Sequence, residues 1–118
     1  MRALLFALLV AVLPACSSAS DRPAAPAGDL YLTGVVAEVQ HSATASGLLV
    51  DPPAGTACGI RATADAQTRV FRRDVTGALA EATVGAVEVG DRVEVYVDGP
   101  VAESCPVQGR ASSLVIVG

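Results

Sequence analysis

The sequence predicts an all-β domain: a small barrel of five or six short strands, preceded by a targeting segment. Three observations carry this reading. From Arg92 to Asp98 the chain alternates, with Val93, Val95 and Val97 facing one way and Arg92, Glu94, Tyr96 and Asp98 the other, which is the two-residue period of a half-buried strand. Gly90-Asp91 before this run and Gly99-Pro100 after it are turn signals. The remaining apolar runs are equally short and are stopped by Gly, Pro or Asp, as in Asp51-Pro52-Pro53. The chain has 118 residues, enough for one domain. Only residues 29–118 are left for it, and so many short strands bury more apolar surface in a closed sheet than in a sandwich.

The first 15 residues read as a signal peptide: Arg2 is the positive n-region and Ala3 to Leu13 the apolar run. That run falls short of the roughly 20 residues a membrane-spanning helix needs. Leu13-Pro14-Ala15-Cys16 resembles the lipobox of bacterial lipoproteins, with Pro14 standing where Ala, Ser, Thr or Val is commoner. On this reading Cys16 becomes the N-terminus, carries a diacylglycerol and an acyl chain, and anchors the protein, since stable anchoring needs more than one chain. Ser17 is compatible with sorting to the outer membrane of a Gram-negative cell, so the expected address is the cell envelope, facing the periplasm. Residues 16–28, with Ser17-Ser18, Pro23, Pro26 and Gly28 and no apolar periodicity, read as a flexible tether of roughly 20 Å.

The strands follow in order. Leu30 to Val39 is rich in Val and Leu, with Gly34 inside it as a bulge or bend. Gly47 to Val50 is a short apolar run. Cys58 to Ala62 alternates, and Thr68 to Arg72 is a further strand or strand end. Ala78 to Ala86 has helix-forming Ala, Leu and Glu but is cut short at Thr83-Val84-Gly85, so it reads as a connector. Val93 to Asp98 comes next, and Leu114 to Val117 closes the chain.

Charge and cysteine count narrow the function. The net charge is −4 and the chain has no lysine. An acidic surface repels polyphosphate, so nucleic acid is not an expected partner. Three cysteines are an odd set. If Cys16 carries lipid, Cys58 and Cys105 remain, and in an oxidising compartment such a pair is expected to form a disulfide. The alternatives are free thiols, or a metal or redox site. The metal reading has one histidine, His41, distant in sequence, where three or four ligands are needed.

Val89-Gly90-Asp91-Arg92-Val93-Glu94-Val95, then Gly99-Pro100-Val101-Ala102-Glu103-Ser104-Cys105-Pro106, Gln108 and the final strand, resemble the YobA-like family of small bacterial envelope proteins. The likeness is good over roughly the last 30 residues and looser from Leu30 to Phe71. It implies an OB-like β-barrel and an envelope location, and it brings no catalytic residues or activity. An aromatic usually stands at the position of Cys105, so a Cys58–Cys105 bridge would replace packing by a covalent link.

Enzymatic patterns are scarce. There is no Gly-x-Ser-x-Gly elbow, and a Ser-His triad could use only His41, which reads as a solvated turn residue. No catalytic residue, metal or cofactor is therefore expected. Arg69, Arg72 and Arg73 form a basic cluster, either a charged strand edge that blocks edge-to-edge pairing or a contact for an anion or a protein. Glu103, in a loop with Pro100 and Pro106, is a candidate binding side chain or a cap on nearby amides. The expected function is a lipid-anchored, non-enzymatic envelope barrel that binds another envelope protein or a small ligand. The alternative is a small periplasmic hydrolase, or a metal- or redox-handling protein, using His41 or Cys58 and Cys105.

Overall fold

The computed structural model describes residues 25–53 and 58–117. Cys16, the signal peptide and the first part of the tether lie outside the described residues. The domain is all-β. Its elements are β1 (Asp29–His41), β2 (Ala45–Asp51), β3 (Ile60–Asp65), β4 (Arg69–Arg73), β5 (Leu79–Ala82), a 3-10 turn (Val84–Ala86), β6 (Arg92–Val97), β7 (Val107–Arg110) and β8 (Ser113–Val117). They form one eight-stranded sheet in the order β5-β4-β8-β6-β1-β2-β3-β7, whose hydrogen-bonded ladder is not closed. The strand number thus exceeds the expected five or six.

The two strands beyond the six read from the sequence are β5 and β7, and two of the strand paths are broken. β3 and β4 are one strand path interrupted at Ala66 to Thr68, and β7 and β8 are one path interrupted at Ala111-Ser112. β3 pairs in parallel with β7, and β4 in parallel with β8. At the break the chain changes partners, yet each backbone group of Ala111 and Ser112 is used. Ala111 donates its N–H to the Thr63 carbonyl, and Ser112 donates its N–H to Tyr96. The Ser112 carbonyl accepts from the Arg69 N–H, and the Ala111 carbonyl accepts from the Thr68 hydroxyl at 2.7 Å. Both residues are buried, so an unmatched group here would cost about 1–3 kcal/mol.

The turn on the other side of the break is built by Asp65 and Thr68. The Asp65 N–H donates to Thr68 Oγ1 at 3.0 Å, and Asp65 Oδ1 accepts from the Gln67 N–H at 2.9 Å. The same carboxylate receives Arg110 from the end of β7 through Nε at 2.7 Å and Nη2 at 3.0 Å. A two-pronged Arg–carboxylate pair fixes orientation as well as distance. It locks the ends of β3 and β7 together just before the chain changes partners.

β5 is the first of the two additional strands. Residues 79–82, read from sequence as part of a connector, pair antiparallel with β4 instead. The cause is the tight turn before them. Asp74 Oδ1 accepts from the Thr76 N–H at 2.8 Å, the Thr76 hydroxyl at 2.6 Å and the Ala78 N–H at 3.1 Å, and Gly77 takes φ 90°. This turn folds Leu79–Ala82 back on β4, and pairing overrides the helix preference of Ala, Leu and Glu. β7 was likewise not anticipated, because Val107-Gln108-Gly109-Arg110 has no alternation and contains a glycine.

The core lies on one face, built from the alternating residues of the central strands: Val93 and Val95 of β6, Leu48 and Val50 of β2, Leu114 and Ile116 of β8. The opposite face is closed only over β8. There Phe71 stands beside Val115, and both are fully buried. Gly34 is not a bulge; the register of β1 shifts instead between Leu30 and Leu32 and between Val36 and Glu38. Gly34 permits close approach: a Cβ there would lie 2.1 Å from the Asp51 carbonyl oxygen. Cys58 and Cys105 form a disulfide with a Cα separation of 5.4 Å, tying the approach to β3 to the loop before β7 across 47 residues of sequence. Closing such a loop contributes about 4 kcal/mol in the chain-entropy model.

Removing the Thr68 hydroxyl tests the break. Thr68→Val keeps the shape and leaves the Ala111 carbonyl unpaired, and we expect a loss of about 1–3 kcal/mol in urea unfolding. Thr68→Ser, which keeps the hydroxyl, is expected to lose less than half of that.

Candidate functional site

A candidate site lies at the far end of the β1–β2 hairpin. The turn Ser42 to Ala45 is held by serine: the Ser42 N–H donates to the Ala45 carbonyl at 3.0 Å, and the Ala45 N–H donates to Ser42 Oγ at 3.2 Å. On either side of the turn, antiparallel register places His41 opposite Ser46. His41 Nδ1 and Ser46 Oγ are 2.9 Å apart. Ser46 is only 4% exposed, so this contact satisfies a hydroxyl that would otherwise be buried without a partner.

Around this pair is an open hollow of about 460 Å³, lined by Gln40, His41, Ser42, Ala45, Ser46, Gly47 and Thr63. Gly47 gives it room: a Cβ built there meets nothing within 4 Å. Gly47 pairs with Gln40 on one side and Thr63 on the other, so bare backbone lies between two polar side chains. Over Gly47 the lining offers the Gln40 amide and the Thr63 hydroxyl without a carboxylate or a guanidinium, while the His41 and Ser46 side chains, one residue along each strand, turn to the other face and bond each other. That chemistry suits an uncharged polar ligand held by several hydrogen bonds, and the volume is in the usual range for small-molecule sites.

The residues singled out in the sequence lie elsewhere. Arg69, Arg72 and Arg73 do not act as one basic cluster, because strand alternation sends Arg72 to the opposite face from Arg69 and Arg73. The Arg69 guanidinium sits over the Phe71 ring at 5.1 Å and 4.0 Å from Glu81. Arg73 grips Glu94 with two hydrogen bonds, 2.8 and 3.0 Å, and Arg72 is exposed. Glu103 is exposed in the loop before Cys105 and has no hydrogen-bond partner among the described residues, so the capping role is not what holds it. His41 belongs to the hollow; Ser46, Gly47 and Thr63 were not anticipated there. The available signal was the hairpin itself, whose register brings Ser46 to His41. Among the described residues no three His, Cys, Asp or Glu side chains converge as a metal site.

The groups with shifted titration lie in ion pairs and hydrogen bonds between strands and in turns. Hydrogen bonds from Arg73 hold the Glu94 carboxyl below its ordinary value, and the Tyr96 hydroxyl, 3.1 Å from Glu94, adds to this. Burial, followed by the Glu94 carboxylate, pushes the Tyr96 hydroxyl up. The Arg110 hydrogen bonds and the Gln67 N–H hold Asp65 well below the carboxylate range.

Both Asp65 and Glu94 titrate lower in the folded state than in the unfolded chain. Their contribution is complete above the unfolded values of about 4 and is lost as pH falls through the folded ones. Thermal melting from pH 7 to 2 should show a falling Tm below about pH 4. Glu94→Gln is expected to start from a lower Tm at pH 7 and to flatten the acid limb; an unchanged slope would remove Glu94 from this account.

Comparison with known protein families, with curated proteins and with solved structures gives no match.

Proposed function

We propose that the protein is a lipid-anchored, non-enzymatic OB-like barrel of the bacterial cell envelope that binds a small, uncharged polar ligand over Gly47. The observation that carries the binding role is the hollow at the hairpin end, with its hydrogen-bonding lining and its glycine floor.

Strand order supports the OB-like reading. β1, β2 and β3 form an antiparallel meander, the chain returns parallel to β3 and β4, and β6 lies between β1 and β8. The bonds from Ala111 to Thr63 and from Arg69 to Ser112 draw the two parallel pairs into one wrap. OB-like modules bind ligands on their second and third strands and on the loop between the first two. The hollow occupies that position here, with Gly47 on β2, Thr63 on β3 and Ser42 in the first turn.

A hydrolytic role is the weaker reading. It would need a serine open to substrate and a histidine oriented by a third group. Ser46 is almost wholly buried, and the Nδ1 atom of His41, which in a triad faces the orienting acid, is occupied by Ser46 itself.

The membrane address rests on Leu13-Pro14-Ala15-Cys16 and the YobA-like resemblance. In a bacterial host, radioactive palmitate should label the wild-type chain and not Cys16→Ala, and an unlabelled, soluble wild type would overturn the anchor. The ligand site is tested by amide NMR with N-acetylglucosamine and short uncharged peptides as probes. We expect shifts confined to Gly47, Thr63 and the 40–46 turn, and at least about a tenfold loss of affinity in Gly47→Val, whose side chain fills the floor. Shifts confined to other strands, or none with any probe, would overturn the site.

A further inference from the structure

We propose that the outer face of β1 rests on the bilayer surface, with Leu30, Tyr31 and Val35 in contact with lipid. The inference depends on the Cys16 anchor proposed above and adds an orientation to it.

The observation begins with where exposed apolar residues lie. Val75 and Val89 are exposed singly in separate turns, but Leu30, 52% exposed, Tyr31, 40%, and Val35, 44%, all lie within the first half of one strand. Register shows that Leu30 and Val35 share a face. Leu30 stands opposite Tyr96 and Val35 opposite Arg92, and both partners project away from the core formed by Val93 and Val95. Thr33, opposite Glu94, lies between them, so the stripe is interrupted by one small neutral side chain. Beside Val35 is a shallow hollow of about 260 Å³, lined by Thr33, Gly34, Val35, Pro53 and Arg92.

Two further facts favour lipid over other occupants. The first is the position of the tether. Ala27 is clamped to the domain: its N–H donates to Ser113 Oγ at 2.8 Å, and its carbonyl accepts from the Ser112 hydroxyl at 2.6 Å. Leu30 follows three residues later. Residues 17–26 separate Cys16 from this clamp, so the anchor can be no more than about 40 Å away along the chain. The second is local charge. The protein is acidic overall, but on this face Glu94 is neutralised by Arg73, and Val35 lies between the exposed Arg92 on β6, which has no ion-pair partner among the described residues, and the exposed Asp51 on β2, so the stripe carries no net negative charge. A tyrosine at one end and an uncommitted arginine at the other are side chains suited to the interface between acyl chains and phosphates.

The stripe is too small to hold a soluble protein on a membrane. A short tether changes this, because it keeps the stripe at a millimolar effective concentration near the surface. Weak lipid contact then suffices to choose one orientation.

The test uses the full-length acylated protein in vesicles of phosphatidylethanolamine with a minority of phosphatidylglycerol. The chain has two tyrosines, and Tyr96→Phe leaves Tyr31 as the sole one. Lipids brominated near the headgroup should quench Tyr31 emission at least about twofold relative to unbrominated vesicles. Leu30→Ser/Val35→Ser should recover most of that emission while still floating with the vesicles. Protein that does not float overturns the anchor and the orientation with it. Protein that floats with Tyr31 unquenched overturns the orientation alone and assigns the stripe to another protein or to a second copy. Since the wild-type stripe is measured directly, the outcome does not depend on how well the double variant folds.

Discussion

The structure depends on how one buried dipeptide, Ala111-Ser112, is satisfied while the last strand path changes partners. A strand that leaves one neighbour for another must pass through a point where regular pairing fails, and buried backbone groups at that point are costly. This chain meets the cost with groups from four places: Thr63 on β3, Thr68 in the turn, Arg69 at the start of β4 and Tyr96 on β6. Two of these belong to the turn and the strand it begins, so the turn's geometry and the satisfaction of the break are one requirement. Asp65 enforces it by binding Gln67 on its own side and Arg110 on the other.

The two covalent and ionic ties on β7 divide its length between them. The disulfide lies just before the strand, at Cys105, and the Asp65–Arg110 pair lies at its end. β7 is a four-residue edge strand with one full neighbour, β3, and a single bridge between Ala102 and Gln108 on its other side. So few ladder bonds are a weak hold for an edge, and the ties at both ends make up for it. The bridge also reduces the edge left open for pairing with other chains.

What was legible in the sequence follows from which signals are local. The β6 alternation is local, and its three valines face inward as read. The Cys58–Cys105 pairing came from counting, because one cysteine of three had a separate assignment. β8 shows the limit. Its Ser113-Leu114-Val115-Ile116 run is buried on both faces, and one reason is non-local: Arg73 on β4 reaches Glu94 on β6 across the strand between them. The arginine cluster failed for a related cause, since three cations close in sequence alternate in direction and two find partners on other strands, Arg69 on the adjacent β5 and Arg73 on β6 beyond β8. The contact of His41 with Ser46 needed the hairpin register, which a five-residue offset around a turn does not specify until the turn type is known.

The two faces of the sheet therefore have unequal freedom to bind. Over β4, β8 and β6 the outer face is sealed by Phe71, Arg73, Glu94 and Tyr96, whose groups are spent on one another. On β1 and β2 the same face carries exposed apolar residues at one end and a glycine-floored hollow at the other. β1 links the two. Its 13 residues run from Asp29, beside the clamped Ala27, to His41 at the hollow. His41 lies six residues beyond Val35, about 20 Å along an extended strand. If lipid covers the Leu30-to-Val35 stretch with β1 tilted to the surface, the hairpin end is carried clear of the headgroups by the length of this strand. A stiff spacer of this kind, set by pairing with β2 and β6 and not by the tether, would keep the polar hollow in water while the domain stays close to its membrane.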